Sequence, residues 1–138
     1  MRDDRGFAVV EVILLGLLLL IPLMWLLGVL ADLHRGALAS TAAAKEAGVS
    51  AARAADPAGR DAAVDRAVAQ AFRDHGLDPR RAEVRVRAGG GVRGAAVEVV
   101  VGYDVTVLQV PFIGRVSGPS IGVTAKHVAR IDPYASRP

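Results

Sequence analysis

The sequence predicts an α+β chain. A long N-terminal transmembrane helix continues outside the membrane, followed by a short second helix and a small three-stranded antiparallel β-sheet. Three observations predict this order. Twenty consecutive residues from Val12 to Ala31 carry no charge. An alanine-rich stretch without proline follows from 32 to 55. From Glu83 onward the apolar residues recur every second position, where before they recurred with helical spacing.

At about 1.5 Å of rise per residue, a helix as long as the uncharged run spans about 30 Å, the hydrocarbon thickness of a bilayer. Val12 and Ala31 bound this transmembrane segment, and Pro22 and Trp25 lie within it. Residues 1 to 5 are a short polar head. Two arginines precede the run and Arg35 follows it closely. This leans toward a cytoplasmic N-terminus, with the C-terminal domain on the extracytoplasmic side of the cytoplasmic membrane. A cleaved secretory signal is the competing reading, because Ala37-Leu38-Ala39 has the small-x-small form before Ser40. However, the run exceeds the roughly 7–15 apolar residues of such signals, and that site lies beyond His34-Arg35.

Residues 32 to 55 extend the helix. Leu33, Ala37, Ala44, Ala47, Gly48, Ala51 and Ala55 fall on one face, and their small size would let another helix approach closely. Asp56-Pro57 ends that helix and starts the next: aspartate caps, and proline suits the first turn. The second helix is expected from Pro57 to His75, with Val64, Ala67, Val68, Ala71 and Phe72 on its apolar face and Gly76 as C-terminal cap. The first strand is expected from Glu83 to Arg87, the second from Ala95 to Leu108, and the third from Ile121 to Ile131. Val97, Val99, Val101, Tyr103, Val105 and Val107 share one face of the second strand. Ile121, Val123, Ala125, His127, Ala129 and Ile131 share one face of the third. The segment 88–94 reads as a hairpin loop, Val110 to Gly114 breaks the alternation, and the tail from Asp132 is polar.

Composition narrows the chemistry. Cysteine is absent, which excludes disulfides, thiolate metal sites and a cysteine nucleophile. After residue 31 there are fifteen basic and eleven acidic side chains, interspersed as in Arg60-Asp61, Asp65-Arg66 and Arg73-Asp74, the pattern of a solvated surface. Arg80, Arg81, Arg85 and Arg87 come nearest to a basic cluster, but no aromatic residue lies among them, so no nucleic-acid partner is expected. His34, His75 and His127 stand apart in sequence. No metal-ligand, nucleophile-elbow or phosphate-loop pattern occurs. The expectation is a protein that is not an enzyme and takes no cofactor.

The remaining informative residues are Gly6, Phe7 and Glu11. A carboxylate beside a membrane run is costly unless it snorkels to the interface or meets a positive charge at its own depth. A free α-amino group on a neighbouring helix would supply that charge, and cleavage after Gly6 would create one at Phe7.

Gly6-Phe7-Ala8-Val9-Val10-Glu11 before an apolar helix resembles the class III signal of type IV pilins and pseudopilins. More closely, Arg5 to Val12 with the Leu/Ile/Pro-rich run behind it resembles TadE-like proteins of the tight-adherence (Tad, or Flp) pilus system. Ala43-Ala44-Lys45-Glu46-Ala47-Gly48 is similar to the small-residue stretch after that family's membrane helix. The valine- and threonine-containing last strand leading into Arg130-Ile131-Asp132-Pro133-Tyr134 adds a weaker likeness. The best-matched part is residues 5 to 48. The chain departs from many relatives in having Val12 where they have phenylalanine, and in a later Pro22.

The resemblance implies a leader at residues 1–6, a transmembrane and extended helix at 7–55, and an extracytoplasmic α+β domain at 56–138. It implies prepilin-peptidase cleavage between Gly6 and Phe7, with Glu11 needed for processing or docking. The implied partners are the membrane, the prepilin peptidase, other pseudopilins, the Flp pilin, and the Tad inner-membrane platform with its secretion ATPase. A plain membrane-anchored exported domain unrelated to pili is the alternative.

Overall fold

A computed structural model describes residues 4–54, 56–88, 96–107 and 118–130. Helix α1 runs Asp4–Arg53 and helix α2 Pro57–Asp74; a 3-10 turn at Pro79–Arg81 leads into strand β1, Ala82–Ala88. Strands β2, Ala96–Thr106, and β3, Ser120–Arg130, complete an antiparallel sheet of order β1-β2-β3. The fold is the expected α+β arrangement of long apolar helix, second helix and three antiparallel strands. The chain forms two compact units, Met1–Asp32 and Leu33–Pro138. The second unit takes in α1 from Leu33 as well as everything after it.

In the first unit α1 is long and apolar enough to cross a membrane. Its side chains from Phe7 onward are open on all sides, Leu18 at 72 % and Trp25 at 46 % exposure among them. A helix apolar all round needs an apolar surrounding, and lipid supplies one. Pro22 lies within the helix. It lacks an N–H, so the Leu18 carbonyl loses its usual partner there, a loss that membrane helices tolerate.

In the second unit, the alternation of the strands fixes two faces. Register pairs Val84 with Val101, Val86 with Val99, Val99 with His127 and Val101 with Ala125, so all of these share the inner face. Val97, Val99 and Val101 are fully buried there, and Tyr103 and Val105 nearly so. Both helices contribute to the core that contains these residues. From α2 come Val64, Val68, Ala71 and Phe72, the face expected from their spacing. Phe72 and Tyr103 meet with ring centroids 5.0 Å apart. From α1 come Ala39, Ala43, Ala44, Ala47 and Ala51, with Gly36, Ser40 and Gly48 buried among them.

The small-residue face of α1 admits the sheet. A Cβ at Gly36 would lie 3.1 Å from Val105 Cγ2, and one at Gly48 2.7 Å from His127 Cδ2. The face is centred near Gly36, Ser40, Ala43 and Ala47; Ala37 is only half-buried.

Both ends of α2 are capped as expected. The Gly59 amide donates to Asp56 Oδ1 at 2.6 Å. Beyond the C-terminus, Gly76 takes φ +69, the Leu77 amide donates to the Phe72 carbonyl and the Gly76 amide to that of Arg73. This is the paired-bond cap that glycine favours. The Asp78-Pro79 pair repeats the same chemistry, with Arg80 N donating to Asp78 Oδ1 at 3.0 Å. The sequence reading does not include this 3-10 turn, although Asp78-Pro79 carries the same signature as Asp56-Pro57.

Strand β2 ends at Thr106, where a longer strand was expected. Val107 turns away, and its amide donates to the Pro119 carbonyl at 3.0 Å. The glycine-rich loop, the break at 110–114 and the tail from 132 fall outside the described residues, as do Ala55, Ala95, Leu108 and Ile131.

Candidate functional site

The residues singled out in the sequence sit on the first turns of α1. Phe7 is 76 % exposed and Glu11 is exposed one turn later. Residues four apart on a helix share a face, so Phe7 and Glu11 point to the same side. Gly6 belongs to the same helix by its backbone. Met1 to Asp3, half of the expected leader, lie outside the described residues. Val12, Pro22, Trp25 and Ala31 all lie on the exposed part of α1. This surface can offer an apolar stripe carrying one carboxylate to a neighbouring helix.

The arginine group seen in the sequence is divided by the fold. Arg81 reaches across to the end of β2, donating to the Asp104 carbonyl at 2.7 Å and to Thr106 Oγ1 at 3.0 Å. Its guanidinium also lies 5.3 Å from the Tyr103 ring centroid. Arg85 and Arg87 stand on the outer face of the sheet, 3.3 Å from Glu83 and 3.8 Å from Glu98 respectively. Lys126 of β3 bonds the same Glu98 at 2.8 Å. That hydrogen bond, ahead of the charges of Lys126 and Arg87, holds the Glu98 carboxyl below its ordinary range despite some desolvation. The outer face is therefore a strip of alternating charge.

The histidines remain apart. His75 Nδ1–H donates to the Ala71 carbonyl at 2.8 Å, closing the last turn of α2. His127 packs against Gly48. Among the described residues no three His, Asp or Glu side chains gather as a metal site. An open groove runs between α1 and α2, with Lys45, Glu46, Val49 and Ser50 on one wall and Ala63, Arg66, Gln70 and Arg73 on the other.

Two arrangements were missed in the sequence: the Arg81 clip and the seat of His127 at Gly48. Arg81 follows Asp78-Pro79, so it belongs to a turn and precedes the strand, which was a usable signal. Gly48 carried none beyond its small size. Comparison with known protein families, characterised proteins and solved structures found no match to this chain.

Proposed function

We propose that the chain is a minor pseudopilin or assembly component of a Tad (Flp) pilus, supporting pilus biogenesis and through it adhesion and biofilm formation. It acts by association and not by catalysis. The reading rests on one observation: Gly6-Phe7-Ala8-Val9-Val10-Glu11 stands directly before the uncharged run, with Phe7 and Glu11 one turn apart on an exposed helix. In this reading the prepilin peptidase cuts after Gly6. The new α-amino group at Phe7 and the carboxylate of Glu11 then meet opposite charges on neighbouring pseudopilin or Flp pilin helices, where low dielectric strengthens the attraction. The Tad platform and its ATPase supply the assembly work. The N-terminus faces the cytoplasm, and the domain from Leu33 lies outside.

Two further features support the reading. A domain with this two-helix and sheet core is more than a bare filament helix, which fits an accessory role. Removal at Ala39 by an ordinary signal peptidase would delete Gly36 and Ala39, both buried in the domain core.

The test is Glu11→Ala in the full chain. The account predicts normal membrane insertion with loss of surface pili. Normal piliation would remove the case for Glu11 and leave the plain membrane anchor as the better reading.

A further inference from the structure

We propose that the outward side of α1 binds the flank of α2 of a second copy anchored in the same membrane, with Lys45 of one copy against Asp65 of the other. Two stripes of the same design carry this contact. Leu38, Ala42, Lys45 and Val49 follow one another at intervals of four, three and four residues, so they share the side of α1 turned away from its buried alanines. Leu38 and Val49 are 49 % and 36 % exposed. Ala58, Ala62, Asp65 and Ala69 repeat the spacing on α2, on the flank opposite Ala63 and Ala67, which line the groove shared with α1. Ala58, Ala62 and Asp65 are exposed and Ala69 is half-buried. Each stripe is uncharged except for its third member, a lysine in one and an aspartate in the other.

The two charges also stand at one height. A short connection joins α1 to α2, and the two helices wall one groove, so they run antiparallel. Lys45 lies eight residues before Arg53, and Asp65 lies eight residues after Pro57. Both are therefore about 12 Å from the turn at about 1.5 Å of rise per residue. The apolar members match in the same way, Val49 with Ala62 nearer the turn and Ala42 with Ala69 farther from it. Copies related by rotation about the bilayer normal keep every residue at its own depth, and their α1 helices stay parallel. Lys45 of one copy and Asp65 of the next then meet without either anchor moving. Sliding by one turn would displace an anchor by about 5 Å along the normal, which hydrophobic matching to the bilayer opposes.

Charge selects the unlike pair of faces. Two α1 stripes at equal depth would set Lys45 against Lys45, and two α2 flanks would set Asp65 against Asp65. Like charges brought together are unfavourable, whereas the mixed contact joins opposite ones. Among the described residues neither Lys45 nor Asp65 forms an ion pair, while Arg85, Arg87 and Lys126 on the sheet all meet carboxylates. The groove beside Lys45 adds to the attraction: Lys45, Arg66 and Arg73 line it with one carboxylate, Glu46. Arg66 uses its Nε–H on the Ala62 carbonyl of its own helix at 3.1 Å and is otherwise exposed. A contact between unlike faces leaves one face open at each end, so copies add in a row or close into a ring. Confinement to one membrane raises their effective concentration. This contact does not depend on the pilus reading.

The test uses the full chain in phosphatidylcholine vesicles. The chain has no cysteine, so an introduced one reports a single position. With an oxidant, Val49→Cys chains mixed with Ala62→Cys chains should form a disulfide-linked dimer that neither forms alone to the same extent. Adding Lys45→Asp to the Val49→Cys chain should lower the yield by about fivefold, and adding Asp65→Lys to the Ala62→Cys chain as well should restore it. Depth is tested separately. Ala42→Cys should link to Ala69→Cys, whereas Val49→Cys, about two turns from Ala69 in height, should link to Ala69→Cys about fivefold less. No preference for the mixed chains, an unchanged yield with Lys45→Asp, a charge exchange that fails to restore the dimer, or equal linking of Ala69→Cys to both α1 positions would overturn the proposal.

Discussion

Gly48 of α1 and His127 of β3 touch so closely that a single methyl group at Gly48 would stand 2.7 Å from the His127 ring. Overpacking of this kind costs about 1–3 kcal/mol. Alanine in place of glycine inside a helix returns about 0.8–1.0 kcal/mol. Gly48→Ala should therefore lower the stability of the domain by about 1 kcal/mol, read as a reduced Tm by circular dichroism. Combining it with His127→Ala should recover the loss attributed to the clash. A strictly additive double mutant would show that the contact does not limit the packing.

Among the described residues Phe72 is the largest fully buried side chain, and its ring meets that of Tyr103 in a tilted pair. Most other members of this core are valine and alanine, so little else can fill its space. Phe72→Ala should cost about 3–5 kcal/mol, a large share of the stability of a small domain. Denaturant titration followed through the tyrosine near-ultraviolet signal measures this. A loss under 1 kcal/mol would mean that the core collapses around the void.

Arg81 ties the turn before β1 to the far end of β2 through two hydrogen bonds and the Tyr103 ring. Arg81→Ala should destabilise by about 1–2 kcal/mol. Arg81→Lys should recover only part of that, because a lysine lacks the planar fork that reaches both acceptors. Hydrogen exchange at the amides near Asp104 and Thr106 should rise in both variants. Full recovery by lysine would reduce the clip to a matter of charge.

Glu98 links stability to pH. Its carboxyl is held below the ordinary value of 4.5, first by the hydrogen bond from Lys126 and then by the charges of Lys126 and Arg87. A depressed folded-state pKa means that the unfolded chain binds the proton more readily. The contribution is therefore fully present above the ordinary value and is lost as pH falls through the lowered one. Glu98→Gln should flatten this acid limb of the stability–pH curve while leaving its shape near neutrality unchanged. Lys126→Met should flatten it as well, since it removes the main cause. An acid limb of unchanged steepness in both variants would assign the effect to other carboxylates.

Much of the architecture was legible because its signals are local. Alternation placed β2 and β3 within a residue or two, and the valines of β2 named the buried face. Asp56-Pro57 and Gly76 marked the ends of α2 through backbone chemistry that depends on a few neighbouring residues. Alanine blurred the rest. In a stretch where small residues occur on nearly every side, spacing does not fix the phase of the buried face, so the expected face leaves out Gly36, Ala39, Ser40 and Ala43 and includes half-buried Ala37. Nor does a helix face reveal whether its neighbour is a helix or a sheet. Arg81 was read as one of four basic residues because its acceptors lie more than twenty positions away in sequence. The motif at Gly6, Phe7 and Glu11 is a chemical expectation carried by residue order, and its meaning is a matter for experiment.

The mass of the mature protein, purified from the membranes of its own cells, measures that meaning most directly. Cleavage after Gly6 predicts an N-terminus at Phe7. A chain that still begins at Met1, or one that begins at Ser40, would contradict the pseudopilin account and favour a plain anchor or ordinary secretion.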